Sequence, residues 1–357
     1  MDTSTENNEV STKGRATADI QVVHAEGILC IGDPHVSSRK PGTRNDVSFI
    51  ETVIDKIEQA AVIANRENLQ AMFLGDLFDR DREPDAYLLV RLVRALNMFY
   101  RIPFTLTGNH DMSETSLTDN TSLALLRETG VLRVVESVGI FAAVRAVDGT
   151  ALLLGATPYG QTIPLDVRDD VADVCERNQI INVVRGTVWI THHDLAFDGA
   201  YPGAQELHPI KGCDLVVNGH MHLTKPVIAI EHDDGMTTWF NPGNITRQSK
   251  DCADHVPSVW AVRGVDTPAE QYPLVYVKDV FAGVAGFVDA ADRSRATPTT
   301  SHFVKQLLAY NLSETARTET GSELASVMID TFKLLKVTNE VAKEVVSLHA
   351  VVTGAEA

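Results

Sequence analysis

The segment GILCIGD at residues 27–33 is a short apolar run that ends in a glycine and an aspartate, and LQAMFLGD at residues 69–76 repeats this arrangement. A stretch of helical period, SFIETVIDKIEQAAVIANRE, lies between them, and a second, AYLLVRLVRALNMFYR, leads to PFTLTGNHD at residues 103–111. This alternation is the β–α–β–α–β rhythm of an α/β domain with buried, partly parallel strands. Because α/β sheets place their chemistry in the loops after their strands, the polar residues at these strand ends are candidate functional residues.

The sequence after residue 139 is rich in predicted strands, which Gly, Asp or Pro mostly separate. The runs are GIFAAVRAV, ALLLGATP, GTVWITHHD, CDLVVNGHMH, KPVIAIEH, TTWFNPG and SVWAVRG. They predict a second sheet that packs on the first.

The two ends of the chain differ from this central part. Residues 1–20 are polar and lack the apolar run of a secretory signal or membrane span, so they are predicted to be a flexible tail. The main domain is then expected at residues 21–280. Residues 281–357 are predicted to be an Ala/Gly-rich linker followed by a small helical region, because HFVKQLLAY, SELASVMIDTFKLLK and NEVAKEVVSLHAVV have helical period.

The composition indicates a soluble globular protein. Of 357 residues 44% are hydrophobic and 22% are charged, which favours neither a disordered nor a membrane class. The four cysteines are far apart and form no CxxC pair, so neither a zinc ribbon nor a disulfide framework is expected, and a cytoplasmic location fits best. The formal net charge of −17 counts against binding of nucleic acid, although two bound divalent cations would add about four positive charges.

Five short motifs carry the candidate chemistry. They are GDPH at residues 32–35, GDLFDR at 75–80, GNHD at 108–111, THHD at 191–194 and GHMH at 219–222. Their carboxylate and amide oxygens and imidazole nitrogens suit divalent metals such as Mn²⁺, Fe²⁺ or Zn²⁺. A single Asp-x-His is better explained by an ordinary strand with one polar residue on each face, and GNHD alone is equally well explained by a turn. The occurrence of all five together indicates a metal site.

In this set and order of motifs the chain resembles the calcineurin-like metallophosphoesterases, over residues 28–245. The resemblance implies an α/β fold, a four-layer α-β-β-α sandwich of two mixed sheets, here with a small C-terminal helical appendage. It implies a metal-dependent phosphoesterase with two divalent metal ions. Mn²⁺ is expected first, with Fe²⁺, Zn²⁺ or Mg²⁺ as alternatives.

The resemblance also implies a role for individual residues. One metal would be held by Asp33, His35, Asp76 and His222, and the other by Asp76, Asn109, His192 and His220. Asp76 would therefore bridge the two ions. His110 is expected to protonate the leaving oxygen without binding metal, and Asp111 is expected to orient His110.

For a few motif residues the sequence allows two roles. Neighbouring side chains of a strand point to opposite faces, so spacing alone does not choose between His192 and His193. In relatives the first histidine is usually the ligand, which favours His192 and leaves a substrate-facing role open for His193. Asp79 and Arg80 are expected to brace their loop, and the other reading for Arg80 is a surface salt bridge. The remaining histidines are treated as structural or exposed: His24, His208, His232, His255, His302 and His349.

Within the superfamily the sequence is most similar to the SbcD-type DNA repair exonucleases. The likeness rests on GDPH followed by GTRND, GDLFDR followed by Pro84, PFTLTGNHD, GATPYG, and FNPG after GHMH. Pro34 departs from the pattern, since these enzymes often have an aromatic residue at that position. The resemblance therefore does not predict which residues contact the substrate near the first metal. The resemblance implies an exo- or endonuclease of DNA repair or recombination.

The partners implied are DNA and an SMC-like ATPase subunit; a homodimer is left open and no membrane is expected. The alternative function is a small-molecule or cyclic-nucleotide phosphodiesterase, which the acidic charge favours. A third reading, a scaffold without catalysis, conflicts with the intact motifs, and GHMH is not the usual pattern of a protein phosphatase. The C-terminal helices have two readings, packing against the catalytic domain or docking of the ATPase.

Overall fold

The computed structural model describes residues 20–113, 115–197, 204–278 and 280–281. The chain divides into two units, Met1–Ala285 and Gly286–Ala357, and all described residues belong to the first. The expected tail lies outside the described residues except for its last member, Ile20, which is buried. The expected helical region at the C-terminus lies outside them beyond Phe281.

The first three helices begin at capping side chains, and all four bury part of their surface. In the described part of the chain they are α1 Phe49–Arg66, α2 Ala86–Leu96, α3 Ser122–Glu128 and α4 Arg168–Arg177. Ser48 caps α1 by accepting a hydrogen bond from the backbone N–H of Glu51 at 3.3 Å. Apolar side chains at helical spacing in α1, such as Val53, Ile57 and Ala64, are buried.

Thirteen strands form two sheets within the described ranges. In chain order they are β1 Gln21–His24, β2 Ile28–Ile31, β3 Gln70–Phe73, β4 Phe104–Leu106, β5 Arg133–Val135, β6 Gly139–Arg145, β7 Ala151–Thr157, β8 Val184–Thr191, β9 Leu215–Asn218, β10 Lys225–His232, β11 Gly235–Asn241, β12 Ser258–Val262 and β13 Glu270–Pro273. The first sheet has the order β13-β12-β2-β3-β4-β5, and the second has the order β1-β6-β7-β8-β9-β11-β10.

Both sheets are mixed. In the first sheet β2, β3, β4 and β5 are parallel, whereas β12 is antiparallel to β2 and to β13. In the second sheet β7, β8, β9 and β11 are parallel neighbours, and β10 and β6 are antiparallel additions at either side. Parallel order sends the carboxyl ends of β2, β3 and β4 to one edge, and the carboxyl ends of β8 and β9 likewise to one edge of the second sheet.

The core consists of layers that the alternation of side chains in each strand creates. In β2, Ile28 and Cys30 pack with residues of the second sheet, while Leu29 and Ile31 pack with the helices α1 and α2. The outer face of the second sheet is covered by α4 and by loop residues such as Ile163 and Phe197. Helices thus cover the outer faces of two packed sheets, and the α/β fold of two mixed sheets expected from the sequence is confirmed.

Five short elements, β1, α3, β5, α4 and β13, were not expected from the sequence. In α4 only Val174 and Cys175 are buried among ten residues, so its apolar period is too weak to see. In β1 only Val23 is fully buried, because this strand lies at the edge of its sheet.

The cysteines are unpaired, as their spacing in the sequence predicts. Cys30, Cys175, Cys213 and Cys252 are all free thiols and all buried. Within the described ranges, no helix combines the length and the apolar character that crossing a membrane requires.

Candidate metal centre

The five motifs follow directly after five strands. Asp33 and His35 follow β2, Asp76 follows β3, and Asn109 follows β4. The second sheet contributes the histidines, since His192 follows β8 and the GHMH pair follows β9. Polar residues from both sheets therefore meet where the carboxyl ends of these strands come together.

A first group consists of Asp33, His35 and His222, whose ligand atoms lie within 4.8 Å of one another. The Nε2 atoms of His35 and His222 are 2.9 Å apart. Asp33 and His35 are buried, while His222 is half-buried. Two ring nitrogens that face each other so closely, beside a buried carboxylate, form an arrangement that a shared cation stabilises.

A second group consists of Asp76, His192 and His220, and Asn109 adjoins it. His192 Nε2 lies 3.2 Å from Asp76 Oδ2 and 3.3 Å from His220 Nδ1. His220 Nδ1 in turn lies 3.1 Å from Asn109 Oδ1. Neighbouring ligands around a cation with bonds near 2.1 Å are roughly 3.0–3.5 Å apart, so these separations fit a bound divalent metal.

Asp76 links the two groups through a single oxygen. Its Oδ2 faces His192 Nε2 at 3.2 Å and His35 Nε2 at 3.9 Å, so one atom is directed toward both groups. The other oxygen, Oδ1, accepts a hydrogen bond from the backbone N–H of His110 at 2.9 Å. The orientation of the carboxylate is thereby fixed.

Unusual backbone geometry accompanies the site. His35, Asp76 and His220 have φ angles of 47°, 46° and 68°, in the left-handed region that side chains other than glycine rarely adopt. Such strain persists where the surrounding structure enforces it, and it concentrates at functional sites. Three of the five positive-φ residues other than glycine in the described ranges are thus candidate metal ligands.

Glycine allows the close approach of these loops. A Cβ atom at Gly219 would lie 2.5 Å from Leu74 O, 2.8 Å from His192 Nδ1 and 3.0 Å from Asp33 Oδ1. Gly75, with a φ of +111°, packs against the ring of His192 in the same way. The glycines of GDLFDR and GHMH therefore make room for the ligand side chains.

Unsatisfied polar atoms support a cation at the first group. Among the described residues, neither carboxylate oxygen of Asp33 has a hydrogen-bond partner, and both are buried. A buried carboxylate without partners is costly unless it is neutralised or coordinates a metal. The donor set and these orphan oxygens fit a divalent cation held by Asp33, His35 and His222.

The electrostatics agree with this fit. Burial raises the pKa of Asp33, while burial and the neighbouring His222 lower the pKa of His35 well below its usual value. Burial opposes ionisation of Asp76, but His192 and His110 hold its pKa well below the usual range. Burial also lowers the pKa of His192, yet Asp76 and Asp33 outweigh it and raise that pKa to about 9. A neutral His35 offers a lone pair, and the His192–Asp76 pair offers a position where a cation replaces a proton.

His110 lies next to this cluster. Its ring is 5.0 Å from that of His35 in an edge-on arrangement, and a ring nitrogen is within 4.8 Å of ligand atoms of His35 and Asp76. Its Nδ1 is 2.8 Å from the backbone carbonyl of Asp79. That carbonyl can only accept, so Nδ1 carries the proton and Nε2 is the nitrogen left for chemistry.

The expected role of Asp111 in orienting His110 is not what the contacts show. The Asp111 carboxylate accepts hydrogen bonds from the backbone N–H groups of Leu77, Phe78 and Gly108, at 3.3, 3.0 and 3.1 Å. Burial and the charge of Asp76 raise its pKa to about 7. The Asp79 carbonyl orients His110 instead, and Asp111 ties the GDLFDR loop to the GNHD loop, because its carboxylate is fully buried beneath both.

The neighbours His192 and His193 point in different directions. His192 lies in the second group, with Nδ1 2.8 Å from Leu74 O and Nε2 toward Asp76. His193 lies outside both groups, with Nε2 2.9 Å from Gln161 O. Burial lowers the pKa of His193 to about 4, so it is a neutral buried ring rather than a substrate-facing group.

Of the other histidines, His255 is buried and its Nε2 donates to Asn244 O at 2.7 Å, so it braces the NPGN loop. His24 is exposed, His208 and His232 are half-buried, and His302 and His349 lie outside the described residues. Arg80 is half-buried, and no ion pair or hydrogen bond joins its side chain to another described residue. The backbone carbonyl of Asp79 contacts Nδ1 of His110 and so ties this part of the loop to the site.

Two residues near the cluster were not singled out in the sequence. Asp194 Oδ1 lies 2.9 Å from His220 Nε2, and its place in THHD, directly after two histidines, is the signal that could have found it. Tyr159 packs beside three histidine rings, with centroid distances of 6.2 Å to His192, 6.1 Å to His193 and 5.8 Å to His220. No local sequence pattern predicts that a tyrosine packs beside these histidine rings.

Comparison with known proteins finds one family whose model matches this chain. A model of the family described as calcineurin-like phosphoesterase matches residues 27–223, more than half of the chain and all five motifs. The solved 5′-nucleotidase precursor from Thermus thermophilus is 14% identical with a TM-score of 0.38, and the match covers 70% of this chain and 54% of that chain. A hypothetical protein from the same organism is 11% identical with a TM-score of 0.36, covering 69% of this chain and 98% of that chain. This chain thus spans about half the length of the nucleotidase precursor, and no curated protein sequence matches it.

Proposed function

The chain belongs to the calcineurin-like phosphoesterase family, and from that premise we propose that it is a two-metal phosphodiester hydrolase acting on DNA in the manner of the SbcD-type nucleases. Metal-dependent hydrolysis of phosphoesters is the chemistry of the family. We propose, beyond this family chemistry, the number of ions, their ligands, the identity of the metal and the substrate.

The position of Asp76 is the observation that carries the two-metal proposal. Its Oδ2 faces His35 Nε2 of one group and His192 Nε2 of the other, which suits a carboxylate that bridges two cations. In this proposal Asp33, His35, Asp76 and His222 hold one ion. Asp76, Asn109, His192 and His220 hold the second.

Each side chain has a task in hydrolysis. Two bound cations supply a polarised phosphoryl oxygen, an activated water and shielding of the charge that develops on the phosphate. Asp33 and Asp76 offset the charge of those cations from buried positions. His110 donates a proton from Nε2 to the leaving oxygen, while the Asp79 carbonyl holds Nδ1 at 2.8 Å.

The donor set supports Mn²⁺ as the metal. Four of the seven proposed ligands are imidazoles, which suit Mn²⁺, Fe²⁺ and Zn²⁺ better than Mg²⁺. Mn²⁺ is the proposed ion because the remaining donors are carboxylate and amide oxygens, which it also prefers.

DNA is proposed as the substrate on the sequence resemblance to SbcD-type enzymes. A cyclic-nucleotide or small-molecule phosphodiesterase is the second candidate, since a net charge of −17 weakens binding to a polyanion. An SMC-like ATPase subunit and a homodimer remain proposed partners. The four buried, unpaired thiols support the proposal of a cytoplasmic location.

The substrate is tested by offering the purified protein linear DNA, a cyclic nucleotide and bis-p-nitrophenyl phosphate in Mn²⁺. We expect DNA cleavage whose rate falls as salt rises, because phosphate contacts release counterions. Asp76→Asn, which keeps the size of the side chain, should abolish cleavage of every substrate and thus control for a contaminating nuclease. Rapid hydrolysis of the small diesters without any cleavage of single- or double-stranded DNA would select the phosphodiesterase.

A further inference from the structure

The carboxylate of Asp194 faces the outer edge of the second metal group. Its Oδ1 lies 2.9 Å from Nε2 of His220, and both side chains are half-buried. The other ring nitrogen of His220, Nδ1, faces Asn109 Oδ1 at 3.1 Å and His192 Nε2 at 3.3 Å. Opposite edges of one imidazole therefore meet the carboxylate and the candidate ligands.

A neutral imidazole has one N–H donor and one lone pair, and the partner of one nitrogen determines the state of the other. A carboxylate accepts and does not donate, so Asp194 requires the proton on Nε2 of His220. Nδ1 then presents its lone pair to the site of the second cation. The other rings use the opposite nitrogen, since Nε2 of His192 faces Asp76 and Nε2 of His35 and of His222 face each other.

The backbone conformation of His220 explains why its ring needs the contact with Asp194. His220 has a φ of 68°, so its main chain is held in a conformation that a histidine rarely adopts. The backbone of Asp194 is itself anchored, because its carbonyl accepts a hydrogen bond from Gln205 N at 2.9 Å. A carboxylate carried on an anchored backbone can therefore hold a ring that projects from a strained turn.

We propose that Asp194 is a positioning residue, which fixes the tautomer and orientation of His220 so that Nδ1 binds the second divalent cation. This inference rests on the proposed two-metal function and names a residue outside its ligand set. A carboxylate on the far nitrogen also makes the ring a more basic ligand, and loss of such a partner typically lowers metal affinity by roughly 10–100-fold.

The test measures metal binding and does not need a substrate. In calorimetric titration with Mn²⁺, Asp194→Ala should weaken one of two sites by about 10–100-fold and leave the other within about threefold. Asp194→Asn keeps an accepting oxygen without the charge and should weaken the same site less. The matched control is Asp234→Asn, which changes an exposed carboxylate paired with Arg168 in the turn between β10 and β11.

A second readout separates positioning from a general structural role. In the metal-free protein, ¹⁵N NMR of the His220 ring should show the proton on Nε2 in the wild type and in Asp194→Asn, and a mixture of tautomers in Asp194→Ala. Added Mn²⁺ should restore turnover of bis-p-nitrophenyl phosphate by Asp194→Ala to within a few-fold of the wild type.

Unchanged affinity at both sites with an unchanged tautomer in Asp194→Ala would overturn the proposal. Equal weakening of both sites would also overturn it, because a positioning residue of His220 acts on one. Failure of the wild type to cleave DNA would count against the proposed substrate only, since the titration and the NMR spectra contain no substrate.

Discussion

At the scale of single residues, the contacts of His110 are compatible with two roles that a histidine beside a metal site can have, ligand and proton donor. Its Nδ1 is held by the Asp79 carbonyl, and its ring stands edge-on to that of His35. From that position His110 could either bind a metal ion or donate a proton. Metal content and turnover must therefore be measured together.

We expect His110→Ala to lower turnover by roughly 10²-fold, the size of a lost general acid, while metal content stays at the wild-type level. Steady-state kinetics on bis-p-nitrophenyl phosphate and elemental analysis of the same sample measure both quantities. His255→Ala is the comparison, because it removes a buried histidine that braces a loop near the site. A His110→Ala protein without bound metal would make His110 a ligand.

The residues of the site could be named from the sequence, whereas the directions of their side chains could not. The motif spacing identified Asp33, Asp76 and His192, since each follows an apolar run. Alternation along a strand separates His192 from His193 but does not say which face meets the site. The contacts of Asp111 with backbone N–H groups depend on how two loops approach each other, and no sequence pattern encodes that approach.

At the scale of elements, the site is an assembly of strand ends whose loops touch. Gly219 lies between the end of β9 and the loop after β3, with no space for a Cβ atom. The rigidity of both sheets leaves little room for either loop to move away.

Gly219→Ala should therefore displace His192 or Leu74 and lower Mn²⁺ affinity by at least about tenfold. Its control is Gly42→Ala, at an exposed glycine where an added Cβ meets nothing within 4 Å. Titration of both variants with Mn²⁺, with circular dichroism to confirm folding, makes the comparison. Wild-type affinity in a folded Gly219→Ala protein would show that the loops adjust.

Long elements were predictable because their pattern is strong, and short edge elements were not. α1 has buried residues at helical spacing over eighteen residues, and β7 is buried throughout. By contrast, β1 and β5 each have a single buried residue. These strands form because they pair with neighbouring strands, and their own side chains carry no clear pattern.

At the scale of the whole molecule, metal binding is coupled to protons. Asp76 and Asp33 raise the pKa of His192 to about 9, and burial raises that of Asp33, so both groups hold protons more firmly than usual when no cation competes. A metal ligand must be deprotonated, and binding therefore releases protons.

The apparent affinity for Mn²⁺ should rise with pH up to about 9, by as much as about tenfold per unit for each proton released. The sign follows because His192 must lose its proton, which becomes easier as pH rises. Titration at pH 6.5 and 8.5, in pairs of buffers that differ in ionisation enthalpy, counts those protons. An affinity that does not change over this range would contradict the coupling of His192 to the metal.

The pairing of β12 with β2 has a consequence for synthesis on the ribosome. β2 carries the GDPH motif after its last residue, yet Trp260, Ala261 and Val262 of β12 form its partner on one side. A nascent chain, which grows at about 5–20 residues per second, thus exposes an open strand edge until Val262 has emerged. Truncated polypeptides released before that point lack a finished first sheet, so the strand ends that carry GDPH, GDLFDR and GNHD have no complete sheet behind them until translation has passed Val262.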